Sequence, residues 1–309
     1  MFPGQGSQQV GMGKELCDAY PVAKQTFEEA DSALGESLSQ LCFAGDSSEL
    51  ALTANTQPAI LTCSVAAVRV FTQQRPDLAP RICLGHSLGE FSALVAAGAL
   101  EFADAVRLVR LRGLAMQEAV APGVGAMAAV LRVEADVLSK LCAEASTEDE
   151  IVAFANENGG GQIVVAGHRA AVDRLAAAAK ETGGRAIKLD VSAPFHCSLM
   201  HPAAKRLEAA LEAVRIHPFR VPVVANVDAE SNAEPGRVAS LLVQQVTGRV
   251  RWEASVRHAI ASGATHAIEF GHGKVLAGLC RRIDRGLKVM KMGRPCDLEA
   301  LSDVLPPAT

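Results

Sequence analysis

Gly85-His86-Ser87-Leu88-Gly89-Glu90 holds the residues best placed to do chemistry. A serine hydroxyl becomes a nucleophile when it is exposed beside a general base. Glycines on either side of Ser87 allow a turn too tight for side chains at 85 and 89. Ile82-Cys83-Leu84 reads as a short buried strand before the motif, and Phe91 to Ala99 as an apolar helix after it. Strand, Gly-x-Ser-x-Gly and helix together make a nucleophile elbow, with Ser87 at its tip. The N–H of Leu88 then lies at a helix N-terminus, where it can stabilise an oxyanion. Ser87-x-x-Glu90 also fits a capping box, in which serine only closes the helix. That motif needs neither glycine, so the full pattern favours the nucleophile.

Two further residues could complete a site. Arg112 belongs to a helix expected over Asp104 to Val120, where Arg107 and Arg110 read as solvated. Its neighbours three and four positions away are Leu108, Val109, Ala115 and Met116, which form an apolar stripe. A cation there is costly unless it meets an anion. A distant carboxylate, snorkelling to the surface, or a bidentate clamp on a substrate carboxylate would each satisfy it. His196, in Ala193-Pro194-Phe195-His196-Cys197, precedes a helix expected from Leu199 to Val214. It reads either as a cap or surface residue, or as a general base. His201 reads as solvated, and its spacing from His196 does not suit two metal ligands on one helical face.

The elements that must position these groups form an α/β pattern. The chain has 309 residues, 49% hydrophobic but only 4% aromatic. Its core must therefore rest on Ala, Val and Leu, as in helices packed on a sheet. The net charge of −4, without a basic cluster, argues against nucleic acid. No apolar run is long enough to span a bilayer, and no signal peptide is evident. The eight cysteines are scattered without a Cys-x-x-Cys pair, which favours free thiols in a reducing cytoplasm.

Early helices are expected at Lys14 to Ala33 and Pro58 to Gln73, the second with Asn55 and Thr56 as capping candidates. From Gly125 the order changes to strand (126–131), helix (134–145), strand (151–155), strand (163–166), helix (170–182) and strand (186–190). This βαββαβ order is ferredoxin-like and reads as a small inserted domain. Asn156 to Gly161 is expected as its turn. Val221 to Val227 and His266 to Phe270 read as strands, and Arg237 to Val246 as a helix in which Gln245 reads as solvated. Asp228 to Gly236 is loop-like, and Trp252 reads as packing. Gly271-His272-Gly273-Lys274 lacks a full phosphate-loop pattern.

Gly4-Gln5-Gly6-Ser7-Gln8, together with Gly85-His86-Ser87-Leu88-Gly89-Glu90-Phe91-Ser92-Ala93-Leu94, resembles the malonyl-CoA:acyl carrier protein transacylase family. That family includes the fatty-acid synthesis enzyme and the acyltransferases of polyketide synthases, and the likeness runs to about Arg282. It implies a large α/β-hydrolase-like domain (1–122 and 191–309) with a parallel sheet, and a ferredoxin-like insertion (123–190). It implies Ser87 and His196 as catalytic dyad, and the N–H groups of Gln5 and Leu88 as oxyanion hole. By the same likeness Arg112 holds the malonyl carboxylate and the main-chain carbonyl of Gln245 orients His196. Phe195 stands where relatives taking unbranched malonyl units often carry Phe. The implied substrates are malonyl-CoA and the phosphopantetheine thiol of an acyl carrier protein, with no bound cofactor or metal and a monomeric chain.

Relatives usually carry an aromatic residue at Glu157, a proline among the glycines after it, and a proline at His272. They also have an apolar strand before Phe2. Here Met1 abuts the motif, so either the start is trimmed or the central sheet lacks part of a strand, at a cost in stability. A serine esterase or thioesterase is the alternative, with Asp104, Asp136, Asp173 or Asp190 as its acid. A docking protein without activity is a third reading, which the intact Ser87, His196 and Arg112 disfavour.

Overall fold

The computed structural model describes residues 1–302 and 304. It is a mixed α/β fold with nine strands among the described residues: β1 Cys83–Leu84, β2 Gly125–Leu131, β3 Val152–Gly159, β4 Gln162–His168, β5 Arg185–Lys188, β6 Val223–Val224, β7 Ser231–Asn232, β8 His266–Phe270 and β9 Lys288–Met292. β1 runs parallel to β6, and β8 parallel to β9; β7 lies antiparallel on β6. Met1 and Phe2 join the two groups. Phe2 bridges to Gly85, while Met1 exchanges backbone hydrogen bonds with Ile268 and Phe270. Two residues thus stand where the sequence leaves a strand in question.

Strands β2 to β5 form a separate antiparallel sheet in the order β3-β4-β2-β5. Its two faces have different partners, because successive side chains of a strand point to opposite sides. Ala128 and Val130 of β2, with Ile163 and Val165 of β4, pack under the helices Ala135–Ala145 and Arg169–Glu181. Met127 and Ala129, with Val164 and Ala166, join the main core instead.

That core lies around the helices Pro21–Leu34, Thr53–Gln74, Phe102–Glu118, His201–Leu211 and Pro235–Thr247. Small residues let them approach closely. A Cβ on Gly113 would stand 2.6 Å from the carbonyl oxygen of Thr53, so only glycine keeps this spacing. The same approach lets Gln117 accept from the N–H of Ala54 at 2.7 Å.

Several boundaries differ from expectation for physical reasons. The single helix expected over 14–33 is two, Lys14–Ala19 and Pro21–Leu34, because Tyr20 precedes a proline and takes an extended backbone. The helix expected from Pro58 begins at Thr53 and carries Pro58 inside it. Asn55 and Thr56 do not cap it; their side chains donate back to the carbonyls of Glu49 and Leu50. Asn156, Glu157 and Asn158 belong to β3, and the turn shrinks to Gly160 and Gly161. Both of those have positive φ, which glycine adopts freely. The helix after His196 is shorter than expected, a 3-10 turn Ser198–Met200 followed by His201–Leu211. Arg110 is not solvated: it pairs with Glu36 and Asn55. No helix among the described residues is long and apolar enough to cross a membrane.

Candidate active site

Ser87 sits at the turn between β1 and the helix Gly89–Ala96, with φ of 53°. The turn is built to a tolerance that side chains would break. A Cβ on Gly85 would lie 1.9 Å from the Gly89 backbone, and one on Gly89 would lie 2.1 Å from the Phe2 carbonyl oxygen. Asn226, just beyond β6, holds the strained residue from the neighbouring strand. Its Oδ1 accepts from the Ser87 N–H at 2.7 Å, and its Nδ2 donates to the Gly85 carbonyl at 2.7 Å. The capping reading of Ser87 fails here: no side chain caps the helix, and the Glu90 carboxylate turns inward to the Asn226 N–H and Gln245 Nε2.

His196 also has positive φ, 60°, and places Nε2 2.7 Å from Ser87 Oγ. Its Nδ1 faces two carbonyls, Gln245 at 2.8 Å and Gly248 at 3.2 Å. Carbonyls only accept, so Nδ1 carries the proton and Nε2 is left to accept from the serine. Burial, aided by the charge of Arg112, pushes His196 down from 6.5 to about 3. The imidazole is therefore a neutral base. None of Asp104, Asp136, Asp173 and Asp190 is bonded to it, so the acid that the esterase alternative requires is replaced by main-chain carbonyls.

Arg112 is buried in the same place. Its guanidinium donates to Gln57 Oε1 at 2.8 Å, Gln245 Oε1 at 2.9 Å and Ser87 Oγ at 3.1 Å. Its Nε has no hydrogen-bond partner, and no carboxylate lies within ion-pair distance of it among the described residues. Burial lowers its pKa to about 10, so it stays a cation at neutral pH. Periodicity left snorkelling, a distant acid and a ligand clamp open; here the guanidinium is buried on neutral hydrogen-bond partners, and Glu90 reaches it only through Gln245.

A cavity of about 130 Å³ opens over these groups. Gln5, Leu88, Phe195 and Met127 are among its lining residues, so both sheets contribute to it. The N–H groups of Gln5 and Leu88 donate to no protein acceptor among the described residues. The Gln5 loop packs tightly on the elbow, since a Cβ on Gly4 would stand 2.6 Å from the His86 carbonyl oxygen. Such an arrangement can deprotonate a serine, stabilise an oxyanion and attract a carboxylate.

Gln245 is buried, not solvated, and it acts through side chain and main chain together. Its Nε2 donates to Glu90 Oε2 at 2.8 Å and to the Ser87 carbonyl at 2.9 Å. Gln57 and Asn226 were not singled out from sequence. The sequence hid Asn226 inside a strand expected over Val221 to Val227; that strand stops at Val224, which leaves Asn226 beyond its carboxyl end, where sites in open α/β sheets gather. His86 bonds Asn158 of β3 at 2.9 Å and packs on Trp252, tying the elbow to the second sheet. His201 is exposed, and His272 bonds Gln9 rather than forming part of a phosphate site.

The acyl transferase domain model matches residues 1–292. A malonyl CoA-acyl carrier protein transacylase of Bacillus subtilis (strain 168) is 47% identical over 300 residues, covering 97% of this chain and 94% of the relative. The crystal structure of an acyl-carrier-protein-S-malonyltransferase from Bartonella henselae superposes with a TM-score of 0.94 at 45% identity, covering 98% of this chain and 97% of the other. A type II polyketide synthase acyl-carrier protein complexed with its malonyl-transacylase gives a TM-score of 0.95 at 41% identity, with 98% of each chain covered. With the tight turn at Ser87, the neutral imidazole beside it and the buried arginine set in a fold shared along nearly the whole length of these relatives, the chain belongs to the acyl transferase domain family.

Proposed function

We propose that this chain moves a malonyl group from malonyl-CoA to the phosphopantetheine thiol of an acyl carrier protein, through an ester on Ser87. His196 Nε2 takes the Ser87 proton as Oγ attacks the thioester carbonyl. The oxyanion is held by the N–H groups of Gln5 and Leu88, each such donor typically worth about 100- to 1000-fold in turnover. The carbon–sulfur bond breaks and CoA leaves with the proton from His196. The carrier thiol then enters, gives its proton to His196 and attacks the ester, returning Ser87 to its hydroxyl. The main-chain carbonyl of Gln245 keeps the imidazole oriented throughout.

Arg112 carries this reading. A buried guanidinium in direct contact with no carboxylate, 3.1 Å from the Ser87 hydroxyl, is matched by an acyl group that brings one. Phe195 lines the same cavity, where a bulky ring disfavours a branched acyl group. The strand order β3-β4-β2-β5 supports the ferredoxin-like reading of 123–190, and the parallel β1–β6 pair beside the elbow supports the α/β-hydrolase-like reading of 1–122 and 191–309. The free cysteines suit a cytoplasmic protein, and the chain is read as a monomer.

Incubation with a panel of acyl-CoAs, followed by intact-protein mass measurement, tests the proposal. A malonyl adduct that disappears in Ser87→Ala and passes to carrier protein faster than to water is the expected result. Release to water alone would make it a hydrolase instead.

A further inference from the structure

The role of Glu90 lies beyond the transfer steps above. Its side chain is buried at 3% exposure, one turn beyond the nucleophile. Its Oε2 accepts from Gln245 Nε2 at 2.8 Å and from the Asn226 N–H at 3.1 Å. The other end of the same Gln245 amide accepts from Arg112 at 2.9 Å. An amide placed between a carboxylate and a guanidinium has one favourable orientation, NH₂ toward the acid and C=O toward the cation. Gln245 therefore links the two charges and keeps them from pairing directly. Arg112 remains open toward the cavity while still feeling a buried negative charge.

Loading an acyl group with its own carboxylate adds a second negative charge around this one cation. Two buried carboxylates near a single guanidinium do not both stay ionised without cost. One of them has to give way, and the acyl carboxylate holds the direct contact. Resting on the malonyl reading above, we propose that Glu90 is an exchangeable counter-charge for Arg112 and thereby a specificity-determining residue. It is more ionised when Arg112 faces nothing or an uncharged acyl group, and it takes up further proton from solvent when the acyl group carries a carboxylate.

The surroundings of Glu90 support such an exchange. Burial already raises its carboxyl from 4.5 to about 7, so a small change in nearby charge moves it across neutral pH. The charged groups acting on it are Arg112, from the helix Phe102–Glu118, and Asp228, from the segment after β6. Its other contacts, Gln245 and Asn226, are neutral. A cavity of about 10 Å³ adjoins Glu90, lined also by Asn232 and Leu241. It lies apart from the cavity over Ser87 and has room for about one water molecule, as a proton donor.

The test compares Ser87 acylation by malonyl-CoA and by acetyl-CoA from pH 6.5 to 8.5. Taking the ratio of the two kcat/KM values cancels His196 and the CoA phosphates, which both substrates share. In the wild type the malonyl-to-acetyl ratio is expected to fall by about sixfold across this range, most of the tenfold limit set by one unit of coupling. In Glu90→Gln it is expected to be flat. An equal slope in both proteins, or no slope in the wild type, overturns the proposal.

A second measurement needs no variant. A pH-indicator dye should show uptake of a fraction of a proton per Ser87 loaded near neutral pH with malonyl-CoA, and none with acetyl-CoA; identical traces would sink the idea. Arg112→Ala separates this inference from the reading beneath it. If that variant keeps the malonyl preference, the clamp itself is wrong. If it loses the preference while Glu90→Gln keeps the wild-type slope, only the role of Glu90 fails.

Discussion

Arg112 donates to the hydroxyl of Ser87 at 3.1 Å, so the serine proposed as nucleophile and the buried cation are in direct contact. The same hydroxyl faces His196 Nε2 at 2.7 Å. Ser87 Oγ is thus polarised from both sides, by a fixed positive charge and by a neutral base.

Replacing Arg112 by Ala should separate the acyl groups. Hydrogen bonds to charged groups contribute about 1.5–3 kcal/mol each, so losing the two of a bidentate clamp should lower malonyl kcat/KM by at least about 100-fold. Acetyl loading should fall less, by about tenfold or somewhat more, through loss of the single contact to Ser87. Stopped acylation followed by mass measurement gives both numbers. Equal losses would show that the guanidinium serves the serine alone.

The acid limb of the reaction should lie unusually low. A histidine at its ordinary 6.5 would be half protonated there and would lose activity below it. Burial and Arg112 hold His196 down to about 3. Acetyl loading, which does not involve the carboxylate clamp, is therefore expected to persist at pH 5.5. A fall centred near pH 6.5 would mean that the imidazole is more exposed to water than its position implies.

Stability should respond to pH through two opposing groups. The folded Glu90 binds its proton more tightly, about 7 against 4.5, so its contribution is full below 4.5 and is lost as pH rises through about 7. The folded His196 binds its proton less tightly, about 3 against 6.5, so its contribution is full above 6.5 and is lost as pH falls toward 3. Between 4.5 and 6.5 the slopes offset one another. Glu90→Gln leaves only the histidine, and its unfolding free energy should then climb with pH by about 1 kcal/mol per unit more than wild type. Denaturant titrations at pH 5 and 6.5 check this; parallel behaviour of the two proteins would refute it.

Gly113→Ala tests how Arg112 is placed. The added methyl would meet the Thr53 carbonyl at 2.6 Å and force apart the helices carrying Arg112 and Gln57. Overpacking of this kind costs about 1–3 kcal/mol. A loss of stability with a raised KM for malonyl-CoA is expected, measured by denaturation and steady-state kinetics. An unchanged KM would show that the clamp tolerates movement of its helix.

Much of the site was legible from the chain because its parts are local. Gly85, Ser87 and Gly89 specify a turn by themselves, and Arg112 declares its burial through the apolar residues one turn to either side. The βαββαβ order was equally plain, since short strands and amphipathic helices alternate there. Gln57 and Gln245 were harder. A glutamine at the surface and one that links two charges have the same spacing in sequence, and only the packing of three helices separates them. Likeness alone marks Gln245, and nothing in the sequence marks Gln57. Tyr20 shows the opposite failure: the Pro21 that breaks the helix was visible, but the apolar rhythm across it suggested continuity.

The second sheet shares its inner face with the main core, through Met127, Ala129, Val164 and Ala166. Swinging it outward like a lid would bare those four side chains to water. That exposure opposes outward movement of the sheet, so the cavity over Ser87 stands open with the sheet in place.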